Sequence, residues 1–135
     1  MEKNQQEQQE MLFKLSMFEQ QIQQLQQQLQ AVEQGTTELS SLNLGIDEIK
    51  GKKEKEIFAL IGRGIFVKAR LISEDLIVEI GEKKFVKKSV PETQKLIKSQ
   101  IEKLEEVKKE LNENLESVSK ETKKLIEGVN EKGRG

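Results

Sequence analysis

Cysteine and histidine are both absent from this chain, which removes disulfides, thiol nucleophiles, imidazole bases and the usual zinc sites. Tryptophan and tyrosine are missing too, and the 135 residues include only five phenylalanines and one proline. With 34% of residues hydrophobic and 35% charged, there is too little bulky apolar material for an ordinary globular core, and too regular a pattern for disorder. Long helices that bury a narrow seam fit better. The formal charge of −1 gives no global attraction to nucleic acid or an anionic membrane. No GxxxxGK(S/T) loop or GxGxxG fingerprint occurs, which argues against nucleotide-driven work. Carboxylates are plentiful but alternate with lysines along helical stretches, as on solvated faces rather than acid–base pairs. No signal-peptide pattern and no run of 18 apolar residues is present. The expectation is a soluble, cytoplasmic protein without a membrane segment, a cofactor or an enzymatic activity.

What is present begins at Met11, from which apolar residues step by four and three. Leu15, Phe18, Ile22, Leu25, Leu29, Val32, Thr36 and Leu39 follow, forming a heptad seam. A three-residue step to Leu42, then Ile46 and Ile49, predicts a stammer that locally overwinds the coil. The glutamines of "EQQIQQLQQQLQ" all fall off the seam, so this stretch is helical surface rather than a disordered tract. Gly35 and Gly45 each cost about 1 kcal/mol relative to Ala and predict loosening. A second seam runs through Ile97, Ile101, Leu104, Lys108, Leu111, Leu115, Val118, Thr122, Leu125 and Val129, with Pro91 and Glu92 suited to its first turn. Lys108 is its one charged member and is expected to set register at some cost in packing. The expected elements are a helix over 5–52, strands over 56–88 and a helix over 91–130, within one domain spanning 1–135. Each helix, at roughly 40 residues, spans about 60 Å. Near-equal lengths imply that the chain turns back and pairs with itself antiparallel.

The middle block, "EIFALIGRGIFVKARLISEDLIVEIGEKKFVKK", breaks the helical period. Ile57 to Ile61 is a short apolar run closed by Gly62-Arg63-Gly64, after which Ile65, Val67, Ala69 and Leu71 alternate with Phe66, Lys68, Arg70 and Ile72. Leu76 to Ile80 and Lys84 to Lys88 make two further strands around Gly81-Glu82-Lys83. The fold class is therefore α+β: an antiparallel two-helix coiled coil with two inserted β-hairpins. GxG at 62–64 reads as a tight turn rather than a phosphate loop, because no helix follows it. Lys83, Lys84, Lys87 and Lys88 read as guards of a sheet edge rather than a nucleic-acid patch. Four short strands leave edges unpaired and apolar faces uncovered. Hairpins from several chains are thus expected to share a sheet or barrel, with Phe58, Leu60, Ile65, Val67, Val78 and Ile80 at the contact.

Helix, two hairpins, helix, with "IFALIGRGIFVKA" and "LIVEIGEKKFVKK" at the junctions, resembles an alpha-class prefoldin subunit of the archaeal type. Ile61-Gly62-Arg63-Gly64 and Ile80-Gly81 match motifs of that family. Leu60 stands where the family commonly has proline, and Lys83 where it commonly has a second glycine. If position 83 keeps a positive φ, a lysine there is uncommon. Two hairpins rather than one suggest the alpha class. The resemblance implies a hexamer of two alpha and four beta subunits, ATP-independent capture of non-native proteins, and their transfer to a group II chaperonin.

One feature supports client capture from the residues themselves. With Met11, Leu15 and Phe18 on the seam, Leu12, Phe13 and Met17 lie beside or opposite it, where water should be. An antiparallel pair puts residues 11–18 level with roughly 123–130, near Ile126 and Val129. Met11, Leu12, Phe13, Met17, Ile126 and Val129 are the expected client-binding tip, with methionine suited to varied partners. The competing readings are a structural tether with fixed partners and a nucleic-acid-binding module. A tether would favour polar residues at the tip, and the balanced charge disfavours the module.

Overall fold

Two helices flank two antiparallel hairpins in the computed structural model, which describes the backbone of residues 2–134 and the side chains of residues 4–128. The order is α1 (Glu2–Asp47), β1 (Glu56–Gly62), β2 (Ile65–Arg70), β3 (Leu76–Gly81), β4 (Lys84–Lys88) and α2 (Val90–Arg134). This is the architecture that the two periodicities predict. α1 runs unbroken through Gly35 and Gly45, where loosening was expected. The chain divides into two compact units, residues 1–35 with 104–135, and residues 36–103.

In the first unit the seam has the predicted spacing. Met11, Leu15, Phe18, Ile22, Leu25, Leu29 and Val32 are half-buried, and every residue between them is exposed. Leu104, Leu111, Leu115, Val118, Thr122 and Leu125 supply the α2 side. Lys108 reaches out of the seam to Glu33, with Nζ 3.5 Å from Oε1, while a Cβ on Gly35 would lie 3.4 Å from Leu104 Cδ1. Partner numbers fall on α2 as they rise on α1, so the two segments pair antiparallel. Thr122 hides its hydroxyl by donating to the Val118 carbonyl at 2.8 Å.

The second unit holds the most deeply buried cluster, formed by Ile46, Val90 and Ile97 with Leu39, Leu76 and Ile101 packed on it. Here the seam departs from the sequence reading. Asn43, not Leu42, is half-buried, and Leu42 is 53% exposed. The strict four–three spacing continues and the predicted stammer does not occur. A continuous heptad keeps an unstrained helix facing its partner, and here that outweighs the cost of a polar seam residue. The Asn43 Oδ1 atom is buried without a hydrogen-bond partner.

The end of α1 and the start of α2 are tied down by side chains. Ser89 caps α2: its Oγ accepts from the Glu92 amide at 3.2 Å, and its carbonyl accepts from the Thr93 amide at 3.0 Å. Ser89-Val90-Pro91-Glu92 has the spacing of a capping box. Asp47, at the end of α1, accepts from Gln94 Nε2 at 2.6 Å and sits 3.1 Å from the Lys50 ammonium. The Gln94 amide first, then Lys50, hold the Asp47 carboxyl below the usual carboxylate range.

Each hairpin is a separate two-stranded sheet. Glu56 pairs with Arg70, Phe58 with Lys68 and Leu60 with Phe66 in the first; Leu76 pairs with Lys88 and Val78 with Val86 in the second. The register shifts between Leu60 and Gly62, and again between Glu79 and Gly81, so Ile61 and Ile80 are bulge residues. Two-residue turns follow. Arg63 and Gly64 have φ of 47° and 78°, and Glu82 and Lys83 have φ of 48° and 59°, the positive pair a type I′ turn needs. Position 83 thus keeps the left-handed conformation although it carries lysine.

Two tests follow from this geometry. Lys83→Gly should stabilise the β3–β4 hairpin by about 1 kcal/mol by relieving the Cβ clash at positive φ. Amide exchange in β3 and β4 should slow several-fold, and unchanged exchange would contradict the strained turn. Because the folded pKa of Asp47 is lowered, its contribution to stability is present above the unfolded value and is lost as pH falls through the folded value. Gln94→Ala should move the Asp47 midpoint back up, as read by carboxyl NMR titration.

Candidate functional site

Strand alternation and the observed register divide the first hairpin into two faces. Ile57, Ala59, Ile65, Val67 and Ala69 share one face; Glu56, Phe58, Leu60, Phe66, Lys68 and Arg70 share the other. Both faces carry exposed apolar side chains: Phe58 is 70% exposed and Phe66 57% beside the charged Glu56, Lys68 and Arg70, and Val67 is 47% exposed on the face where Ile57, Ala59 and Ala69 are half-buried. The second hairpin differs. Leu76, Val78, Val86 and Lys88 share a half-buried face, and Leu76 packs on the helical cluster. Its other face presents Ile77 and Phe85 with Glu79 and Lys87.

The six residues expected at a subunit contact therefore do not form one surface. Phe58 and Leu60 lie on one face of the first hairpin, and Ile65 and Val67 on the opposite one. Ile80 occupies a bulge and is exposed, whereas Val78 is half-buried. Phe66, Ile77 and Phe85 were not among the expected contacts, yet all three are exposed. The signal was present in the consecutive apolar run Ile65-Phe66-Val67, since adjacent strand residues point to opposite faces.

The same unit contains an open groove of about 580 Å³ between α1, α2 and β3. Leu39, Leu42, Ile46 and Ile49 line it from α1 and the turn that follows, Leu96 and Ile97 from α2, and residues 76–79 from β3. Charge is distributed unevenly around these surfaces. Residues 50–88 carry 11 Lys and Arg against 6 Asp and Glu, whereas residues 1–49 carry 2 against 8. The near-neutral whole hides a cationic sheet block and an acidic first helix.

At the far end of α1, the expected tip residues fall into two groups. Met11 is half-buried on the seam, while Leu12, Phe13 and Met17 are exposed, Phe13 at 67%. Ile126 is exposed on α2. With α1 and α2 antiparallel and rising uniformly, Ile126 lies level with residues near Phe13. Val129 lies outside the residues whose side chains are described. Among the described residues, no helix is long and apolar enough to cross a membrane.

Comparison with known proteins agrees with this geometry. A family model described as "Prefoldin subunit" matches residues 18–134. Two curated relatives are named prefoldin subunit alpha. The protein from Methanosphaera stadtmanae is 29% identical over 64% of this chain and 62% of its own length. The one from Methanobrevibacter smithii is 34% identical over 60% of this chain and 56% of its own. The matched region thus spans less than two thirds of either relative. Among solved structures, that of filamentous PFD from Methanocaldococcus jannaschii aligns with a TM-score of 0.74. It covers 85% of this chain and 97% of that one at 17% identity, a likeness of fold.

The two faces of the first hairpin generate a test. Val67→Asp puts a carboxylate on the face shared by Ile57, Ala59, Ile65 and Ala69, where burial in a subunit contact costs several kcal/mol. Association in sedimentation should be lost with the helical circular dichroism unchanged. Val78→Asp, beside the groove, should instead lower the melting temperature of the chain itself. Undiminished association of Val67→Asp would remove that face from any contact.

Proposed function

Because this chain belongs to the prefoldin family and is of the archaeal alpha type, we propose that it is a subunit of an ATP-independent holdase chaperone. In this reading the hairpins join two alpha and four beta-class subunits into a hexamer. The helix ends capture non-native proteins in the cytoplasm, and captured chains pass to a group II chaperonin. No cofactor and no catalysis enter the mechanism.

The observation that carries this reading is the exposure of Leu12, Phe13, Met17 and Ile126 at positions the coiled coil does not use. A tether with fixed partners gains nothing from apolar groups in water, whereas a binder of unfolded chains needs them. Methionine and leucine adapt to many sequences because their side chains are flexible or compact. Each contact is worth at most about 1.5–3 kcal/mol when fully covered. A single tip is therefore weak, and simultaneous engagement of several tips raises the effective affinity. Weak contacts also release, which passing a client onward requires.

The test replaces Phe13, Met17 and Ile126 with Ser and leaves Met11, Leu15, Phe18 and Leu125 to hold the seam. The triple variant should assemble with a beta-class partner and melt at nearly the wild-type temperature. It should lose most of its ability to suppress light scattering by a diluted denatured protein, and all of it once the partner tips are made polar too. Full protection with every tip polar would place client capture elsewhere.

A further inference from the structure

Near its start, the face of α1 opposite the seam carries carboxamides and then apolar groups. At about 100° per residue, Gln6, Gln9 and Met17 fall within about 40° of Phe13, and the seam residues Met11, Leu15 and Phe18 fall on the other side of the helix. We propose that Gln6 and Gln9 pair with the backbone peptide groups of an extended client segment whose apolar side chains cover Phe13 and Met17. The proposal rests on the reading that the helix ends capture non-native proteins. It adds the chemical feature that is recognised, which is unpaired peptide groups beside apolar side chains.

The chemistry of this stripe selects its occupant. All four side chains are exposed, Phe13 at 67% and Met17 at 45%. Gln6, Gln9 and Phe13 line a shallow hollow of about 440 Å³ together with Glu10 and Lys14. A carboxamide donates and accepts at once, as a peptide group does, and covering it costs less than covering a charge. Lysine or glutamate in its place would offer half of that pairing and would hold its water. Among the described side chains, the charges nearest the stripe are Glu10 and Lys14, one of each sign, so neither acidic nor basic clients are excluded. A client that covers Phe13 and Met17 also removes water from the neighbouring glutamines, where a hydrogen bond to the peptide group counts for more. From Gln6 to Met17 the stripe is about 16 Å long, the span of about five extended residues. In a folded protein nearly all buried backbone groups are already paired, so an apolar run with free peptide groups marks a non-native chain whatever its sequence. Residues 120–128, on the α2 side of the tip, contain no Asn or Gln, which confines this pairing to α1. The stripe also lies ahead of residues 18–134, which match the family model.

The test measures peptide binding to the full-length chain without a partner, so that one kind of tip is present. One probe is a fluorescent apolar peptide long enough to cover the stripe. The other has the same side chains with alternate backbone nitrogens methylated, which removes N–H donors and keeps the carbonyls. Gln6→Ala with Gln9→Ala preserves the helix, since alanine is the best helix former, and the circular dichroism should not change. This double variant should bind the unmodified peptide about five-fold more weakly than wild type, and the methylated one about two-fold more weakly. Gln24→Ala with Gln28→Ala, farther along the same face, should change neither. No loss on the unmodified peptide overturns the proposal, and so does an equal loss on both peptides, which would mean packing alone. An equal loss from the Gln24 and Gln28 pair also overturns it. Phe13→Ser separates the proposal from the reading beneath it and should weaken both peptides alike. Absent wild-type binding, or binding that survives Phe13→Ser, overturns tip capture and the pairing with it. Binding that Phe13→Ser abolishes but the Gln6 and Gln9 variant keeps in full overturns the backbone pairing alone.

Discussion

A two-stranded sheet has two faces and two free edges, and the first hairpin of this chain exposes apolar side chains on both faces. The buried apolar residues of the helices belong to a seam and one small cluster, and neither includes a residue of the first hairpin. The deepest cluster comprises Ile46, Val90 and Ile97, and it is engaged by the second hairpin through Leu76. The first hairpin keeps Phe58, Leu60, Ile65 and Phe66 in water. Exposure on this scale marks an interaction surface. The chain is built to be completed by others.

The helices meet a different constraint. A long antiparallel pair buries one side chain in three or four, so most seam residues are only half-buried and stability comes from repetition rather than from any deep core. Departures from the apolar seam are few, and two of them have a local solution. Thr122 turns its hydroxyl onto its own helix, and Lys108 extends to Glu33. Asn43 leaves its Oδ1 atom buried without a partner. A polar seam residue disfavours other registers at a cost in stability, which suits a pairing that must remain in one alignment over many turns.

Charge supplies a further level of organisation that the net value conceals. The sheet block is cationic and α1 is acidic. Lysines on β4 and the Lys68–Arg70 pair on β2 guard edges against indiscriminate strand addition. β1 and β3 carry only Glu56 and Glu79. Apolar faces provide the attraction, and charge limits which surfaces meet.

The sequence alone determined the elements, because a 3.5-residue apolar repeat and a two-residue alternation cannot be mistaken for each other over such lengths. It also located both tight turns, since glycine punctuates them, and the exposure of Phe13 and Met17, since both miss the seam by simple counting. Three features needed the tertiary structure. The phase of the seam past Leu39 was decided between Leu42 and Asn43 by helix continuity and by the groove that Leu42 helps line, neither of which hydrophobicity reveals. The left-handed state of Lys83 follows from the two-residue loop that the bulge at Ile80 imposes, not from the lysine. The faces of the hairpins depended on register and packing: alternation says that Val67 and Val78 each share a side with their neighbours, but only the fold sets Val78 beside the helices and leaves Val67 open. Local periodicity carries information about neighbours in the chain, whereas burial depends on what the rest of the chain brings alongside.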